Sequence, residues 1–272
     1  MLSTSKSKIE RRFRACPLNC PKYSDSEITN LSEFFGVFNS LLEDGKTFWF
    51  RGHSDLKHVL APSALRYSAE NDRVSALGLV REMKRFLGMK LSRPPEPNDH
   101  LGWMQVAQHY GLPTRLLDWT QNAAVALFFA CWLRPEIDGL VVILNPIELN
   151  QRSDPKLSRI LSYEQDGKII QQYFNLGPKV NSRGKHTIAL NPTWNTERIA
   201  LQQGCFTLHG TRKFELDQTQ ASSLLYVPIL SEHKEPLLNE LERVGIGEMF
   251  IFPEAEHVCN HLRRIAKLPT LP

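Results

Sequence analysis

Apolar and polar positions alternate along this chain with two periods, and each change of period marks an element. Ser24 with Glu27 reads as a capping box, after which Leu31, Phe34, Phe35, Phe38, Leu41 and Leu42 recur at helical spacing until Gly45. Thr47 to Phe50 is a short run of β-branched and aromatic residues, which predicts a buried strand that delivers Arg51, Gly52 and His53 at its end. Helical spacing returns over Asn71 to Leu91 and, past the proline-rich stretch Arg93 to Pro97, in a helix ending at His109. Gly111 and Pro113 then force a turn, and Arg115, Asp118, Trp119 and Thr120 precede an apolar helix over Ala123 to Leu133.

Leu140 to Leu144 reads as the next strand, and between Asn145 and Asn195 the periodicity weakens into helical pieces near Ser153 to Leu161 and Gln165 to Phe174. That stretch, about 145–195, is expected to be an insertion. Glu197 to Gln203 reads as a short helix, Cys205 to His209 and Leu224 to Ile229 as strands, and Ser231 opens a helix that Gly245 closes. Met249 to Phe252 is expected as a last strand, with Pro253 in the first turn of a final helix. Strands and helices thus alternate irregularly, which predicts an α+β single domain built on a mixed β-sheet flanked by helices.

Composition narrows the class. The chain has 272 residues, of which 42% are hydrophobic, enough to bury one substantial core. Five cysteines, only Cys16 and Cys20 close together, make no disulfide framework and point to the reducing cytoplasm. No run approaches the roughly 18 apolar residues of a membrane span, so a soluble protein without a membrane partner is expected. The net charge is +4, yet residues 1–23 carry six basic side chains against Glu10, which leaves the remainder at −1. Residues 1–23 therefore read as a basic, disordered tail, and the near-neutral body argues against nucleic acid as the partner. No GxSxG turn, phosphate-binding GxxxxGK[ST] loop or HExxH helix is present, and none of His53, His58, His100 and His109 stands at i, i+4 spacing with another histidine, so no metal is expected.

The segment Gln105 to Ala130 concentrates donors, acceptors and rings at a helix mouth. A cleft is expected where the strand carrying Arg51 meets this segment. A charged group at a strand end costs free energy unless it is used, either on a ligand or on loop carbonyls. Trp119 could instead plug the core, Asp118 could pair with Arg115, and Glu248 could be an ordinary polar residue at a strand start. Gln202 and Gln203, just before Gly204, could read a base or carboxamide edge or cap a turn.

Five segments, WFRGHSD, LAPSALR, HYGLPTRLLDWT with ALFFA, QQGCFTLHG and GIGEMFIFP, occur in order across about residues 26 to 265. Together they resemble the FRG domain family. A more distant likeness, an aromatic strand ending in Arg-Gly and a late Glu before four apolar residues and Pro, is similar to ADP-ribosyltransferases. That likeness implies NAD as cofactor, with Arg51 gripping its phosphates or ribose and Glu248 contacting the nicotinamide ribose, the two catalytic residues. It also implies an effector of toxin or defence type and a macromolecular acceptor. Asp118, Trp119 and Thr120 replace the middle motifs of that family, and His109 with Tyr110 does not reproduce them. The resulting cofactor-binding set is Arg51, Gly52, His53, Gln105, His109, Arg115, Asp118, Trp119, Thr120 and Gln203. Trp119 would exclude water, Arg115 would add a phosphate clamp, and Thr120 or Gln105 would bond the carboxamide. The other readings are a non-catalytic module that binds a nucleotide or dinucleotide or a protein, and, more remotely, a nucleic-acid binder.

Overall fold

The computed structural model describes residues 24, 26–42, 45–66, 76–174, 186–192, 196–210 and 223–268. The basic segment 1–23 lies outside them. In chain order the elements are α1 (Leu31–Leu42), β1 (Trp49–His53), α2 (Ser63–Arg66), α3 (Ala76–Leu87), α4 (His100–His109), β2 (Leu116–Thr120), α5 (Ala123–Trp132) and β3 (Gly139–Leu144). There follow α6 (Pro146–Ser153), β4 (Leu161–Ser162), α7 (Tyr163–Phe174), β5 (Ile188–Asn191), α8 (Glu197–Leu201), β6 (Gly204–Leu208), β7 (Leu224–Ile229), α9 (Ser231–Arg243), α10 (Glu248–Ile251) and α11 (Ala255–Ile265). The architecture is α+β, with one mixed sheet in the order β4-β5-β6-β2-β1-β3-β7. Only β4 and β5 pair in parallel; the other neighbours are antiparallel.

Strand alternation divides the core between the two faces of the sheet. Phe50, Val141, Ile143, Val227 and Ile229 meet α5, α9 and the aromatics Phe34 and Phe38 of α1 on one face. Trp49, Leu117, Trp119, Leu140, Val142, Leu144 and Tyr226 fill the other. A third cluster joins α3, α4 and α7 to β5 and β6 through Met83, Leu101, Trp103, Ile170, Tyr173, Ile188 and Phe206. Segment 145–195 therefore supplies β4 and β5 to the sheet, and Asn150 stitches α6 to β5 by accepting from Ala189 N at 2.7 Å and donating to Ala189 O at 3.0 Å.

Several elements depart from the sequence reading, each for a local reason. The first helix is capped by Asn30, whose Oδ1 accepts from Glu33 N at 2.9 Å, while Glu33 accepts from Thr29 N at 2.8 Å. Ser24 is bound to Tyr226 O instead, at 2.8 Å. Asn145 caps a helix over 146–153 rather than one starting at Ser153, with Pro146 in its first turn. Leu116 to Thr120 is a strand, not a connection, because Leu117 and Trp119 alternate with Asp118 on a half-buried pleat. Residues 249–252 fall largely in helix α10 and not in a strand; a four-residue apolar run before Pro253 fits either.

Buried Lys234 shows how the fold handles an internal charge. Its ammonium donates to Ser54 O at 2.9 Å, Leu133 O at 3.3 Å and Arg134 O at 3.0 Å, so all three protons are used at the C-terminal end of α5. Among the described residues no helix is long and apolar enough to cross a membrane.

Candidate functional site

The sheet is split between its two central strands. β1 and β2 share one ladder pair, Phe50 with Thr120, whereas β1 pairs with β3 over five positions and β2 with β6 over five. The Arg51 side chain enters the gap, and its Nη1 donates to the main-chain carbonyl of Asp118 at 2.5 Å, which satisfies an acceptor that a full ladder would have used. A cavity of about 280 Å³ opens there, at the small end of ligand sites. Phe50, Arg51, Gly52, Gln105, Gln108, His109, Asp118, Trp119, Thr120, Val125, Phe129, Arg198, Ile199, Gln202 and Phe206 line it.

Arg51 is the electrostatic centre. Its side chain is only 19% exposed, and its nearest carboxylate, Asp118, stands 4.0 Å away and is 62% exposed. Burial pulls the guanidinium down to about 10, which the Asp118 carboxylate opposes and the nearby Arg66 cation reinforces. Arg51 is thus charged at neutral pH and thinly compensated. Its Nε donates to His53 Nε2 at 3.0 Å, so the ring proton of His53 sits on Nδ1. Burial, with Arg51 next, keeps His53 well below the usual imidazole range and neutral, as an acceptor for Arg51 must be.

A relay of amides fixes Asp118. Thr114 Oγ1 donates to Gln108 Oε1, and Gln108 Nε2 donates to Asp118 Oδ1 at 2.5 Å. Trp119 lines the cavity and also fills the core: its Nε1 donates to Thr207 Oγ1 at 3.0 Å, which leaves the Thr207 hydroxyl hydrogen for His209 Nε2, also at 3.0 Å. Thr120 Oγ1 donates to Gln202 O at 2.5 Å, and Gln202 Nε2 donates to Ile251 O at 2.8 Å. The cavity wall at α8 is therefore tied to β2 on one side and to α10 behind it.

The structure brings Arg51, Gly52, Gln105, His109, Asp118, Trp119 and Thr120 of the expected set around one cavity. His53 lies behind Arg51 as its acceptor. Arg115 is no clamp at this cavity and no partner of Asp118; its Nη2 donates to Phe174 O, and burial lowers its affinity for its proton. Gln203 takes a left-handed turn at φ 47°, and its neighbour Gln202 is the one that faces the cavity. Gly52 serves packing more than ligand approach: a Cβ there would meet Ala126 O of α5 at 2.0 Å. Glu248 is not among the lining residues. Its carboxylate accepts from Arg264 and bonds His261 Nδ1 at 2.7 Å, which binds α10 to α11. Arg198 and the rings of Phe129 and Phe206 join the wall without having been expected. Arg198 carried a weak signal, a cation on a predicted short helix beside QQG, while Phe129 and Phe206 fell within segments read only as an apolar helix and a strand.

Chemically, the cavity offers one largely buried cation, a second cation at Arg198, amides at Gln105, Gln108 and Gln202, aromatic faces, and the Asp118 carboxylate. Glu27, Glu232 and His233 bring three ligating atoms within 4.8 Å of one another, but none of them lines this cavity. No curated protein and no solved structure matches the chain. The sequence model of the FRG domain matches residues 46–136. That stretch holds the strand with Arg51, the helix with Gln105 and Gln108, and the strand with Asp118, and it identifies the chain as one that carries an FRG domain.

Proposed function

We propose that the FRG domain binds a nucleotide, mono- or dinucleotide, in the split between β1 and β2. One observation carries this reading: a largely buried guanidinium lines a cavity while its nearest carboxylate, Asp118, stands 4.0 Å away and is mostly exposed, so an anionic group entering beside it gains a charge-assisted bond. Phe129, Phe206 and Trp119 supply flat faces for a base, and the three glutamine amides supply edge contacts. Among the described residues Cys131, Cys205 and Cys259 are free thiols, which suits a cytoplasmic setting. The test is titration calorimetry with AMP, ADP and NAD on the wild type and on Arg51→Gln. Loss of a charged hydrogen bond worth roughly 1.5–3 kcal/mol lowers affinity about ten- to a hundredfold. Equal binding by both proteins, or none by either, rejects the proposal.

Cleavage of the nicotinamide–ribose bond of NAD is a second reading, and Asp118 is the observation that favours it. This carboxylate shares the cavity with Arg51, as a group that stabilises positive charge developing on a ribose must. In that role Asp118 stands where the sequence pointed to Glu248. Nicotinamide release from NAD, measured by chromatography, is expected to collapse in Asp118→Asn and to persist in Glu248→Gln; release that depends on Glu248 alone rejects the assignment.

A further inference from the structure

Arg51 and Asp118 make an odd pair for an anion site. Arg51 spends one N–H on His53 Nε2 and one on the Asp118 carbonyl, which leaves the rest of its fork for a phosphate. Yet the Asp118 carboxylate lines the same cavity, with its Oδ2 4.0 Å from Arg51 Nη1. A phosphate drawn to the cation meets a like charge close by, and that repulsion weakens any ligand that is anionic throughout. Asp118 is also held in place. Buried Thr114 accepts from Leu116 N at 3.1 Å through Oγ1, so its one hydroxyl hydrogen goes to Gln108 Oε1. That bond turns the Gln108 amide so that its NH2, not its oxygen, meets Asp118 Oδ1, at 2.5 Å. A buried hydroxyl thus sets the direction of an amide that fixes a carboxylate on the cavity wall.

We propose that Asp118 receives the 2′- and 3′-hydroxyls of a ribose whose 5′-phosphate lies on Arg51, with Gln108 as the positioning residue. The inference rests on the nucleotide reading of the cavity and names the substrate class: ribonucleotides, not deoxyribonucleotides. Hydroxyls donate where a phosphate repels. A carboxylate can accept about four hydrogen bonds. Gln108 supplies one, and Oδ2 accepts none among the described residues. The cis-diol of a ribose presents two donors side by side, one for each carboxylate oxygen, and the same small ring carries the phosphate on its 5′-carbon. A cation and a carboxylate 4.0 Å apart therefore suit a group that is anionic at one end and hydroxylic at the other. A free sugar lacks the anion that Arg51 takes, and a deoxynucleotide leaves Asp118 facing the phosphate with fewer donors to hold it. The assignment is the same whether or not a bond of that ribose is broken.

The test is calorimetry with AMP, 2′-deoxy-AMP and 3′-deoxy-AMP on the full chain. The wild type is expected to bind AMP about tenfold or more tightly than either deoxy analogue, through the hydrogen bond to a charged acceptor that each analogue lacks. In Asp118→Ala, AMP affinity falls while the deoxy analogues bind as well as before or better, since a repelling charge is gone, and the ratio closes to within about twofold. Damage to the cavity lowers all three affinities and cannot produce that split. Gln108→Met keeps the length of the side chain without its donor, and narrows the ratio to about threefold or less with deoxy-AMP binding unchanged. Arg51→Gln weakens all three ligands together. Equal binding of AMP and its deoxy analogues by the wild type overturns the diol assignment and leaves the nucleotide reading standing, whereas binding of none of the three removes both. A ratio that survives in Asp118→Ala overturns the proposal, and one that survives intact in Gln108→Met removes Gln108 from it.

Discussion

Two buried imidazoles make pH a probe of this site residue by residue. Burial, then the Arg51 cation, holds His53 well below its ordinary value, and burial, then Arg51 and Arg115, takes His209 down to about 3. Both rings stay neutral in the fold, where their Nε2 atoms accept bonds from Arg51 and Thr207. Released by unfolding, each regains an ordinary value of about 6.5 and takes up a proton below it. Their contribution to stability is therefore complete above that pH and is lost as pH falls below it. Measured from urea midpoints between pH 6 and 5, the proton uptake on unfolding is expected to fall by about one in His209→Gln. An unchanged uptake would mean that the ring is already protonated in the folded protein. The same neighbours explain why the site was only half legible at this scale: Arg51, Asp118 and Gln105 stood out as polar residues among apolar runs, but nothing in the sequence says that Arg115 turns to a helix carbonyl while Gln108 turns to Asp118.

At the scale of elements, the contact between β1 and α5 sets the cavity floor. Gly52 lets the helix backbone lie against the strand, since a Cβ would stand 2.0 Å from Ala126 O, 2.5 Å from Ala130 N and 2.8 Å from Phe129 Cβ. Backbone on the facing helix cannot yield as a side chain does. Gly52→Ala is expected to cost at least about 2 kcal/mol, read from denaturant midpoints, and to weaken any ligand of the cavity by displacing Phe129. A midpoint that does not move would show that α5 can back away freely. Elements with strong periodicity and a clear stop, such as α5, β3, β7 and α9, were readable from the chain. Those that failed were short: β2 hid its pleat behind the charged Asp118, α10 offered only four apolar residues, and β5 is four residues whose partners lie elsewhere in the sequence. Pairing partners are set by tertiary contact, which local pattern does not encode.

For the molecule as a whole, the ligand reading has a thermodynamic signature that needs no assumption about turnover. A ligand bound only by the folded state adds stability that grows with its concentration, about 2.7 kcal/mol at one hundred times the dissociation constant. Thermal midpoints in rising nucleotide concentrations are expected to climb for the wild type and for Glu248→Gln, and to climb far less for Arg51→Gln at the same concentrations. A climb abolished by Glu248→Gln would instead tie α10 and α11 directly to the ligand. Glu248 opens α10, the element directly before α11, and its bonds to His261 and Arg264 fix the pose of that helix. The overall α+β class followed from irregular alternation of periods; the split of the sheet did not, because one ladder pair and five look alike in a string of residues.

With only Phe50 and Thr120 to join them as ladder partners, the strands β4-β5-β6-β2 and the strands β1-β3-β7 form two plates that meet at a narrow hinge. The guanidinium that spans the hinge is also the group an arriving anion would claim. Capture of a guest and release of the latch between the plates then become a single exchange of partners, and any shift in their relative angle would report occupancy.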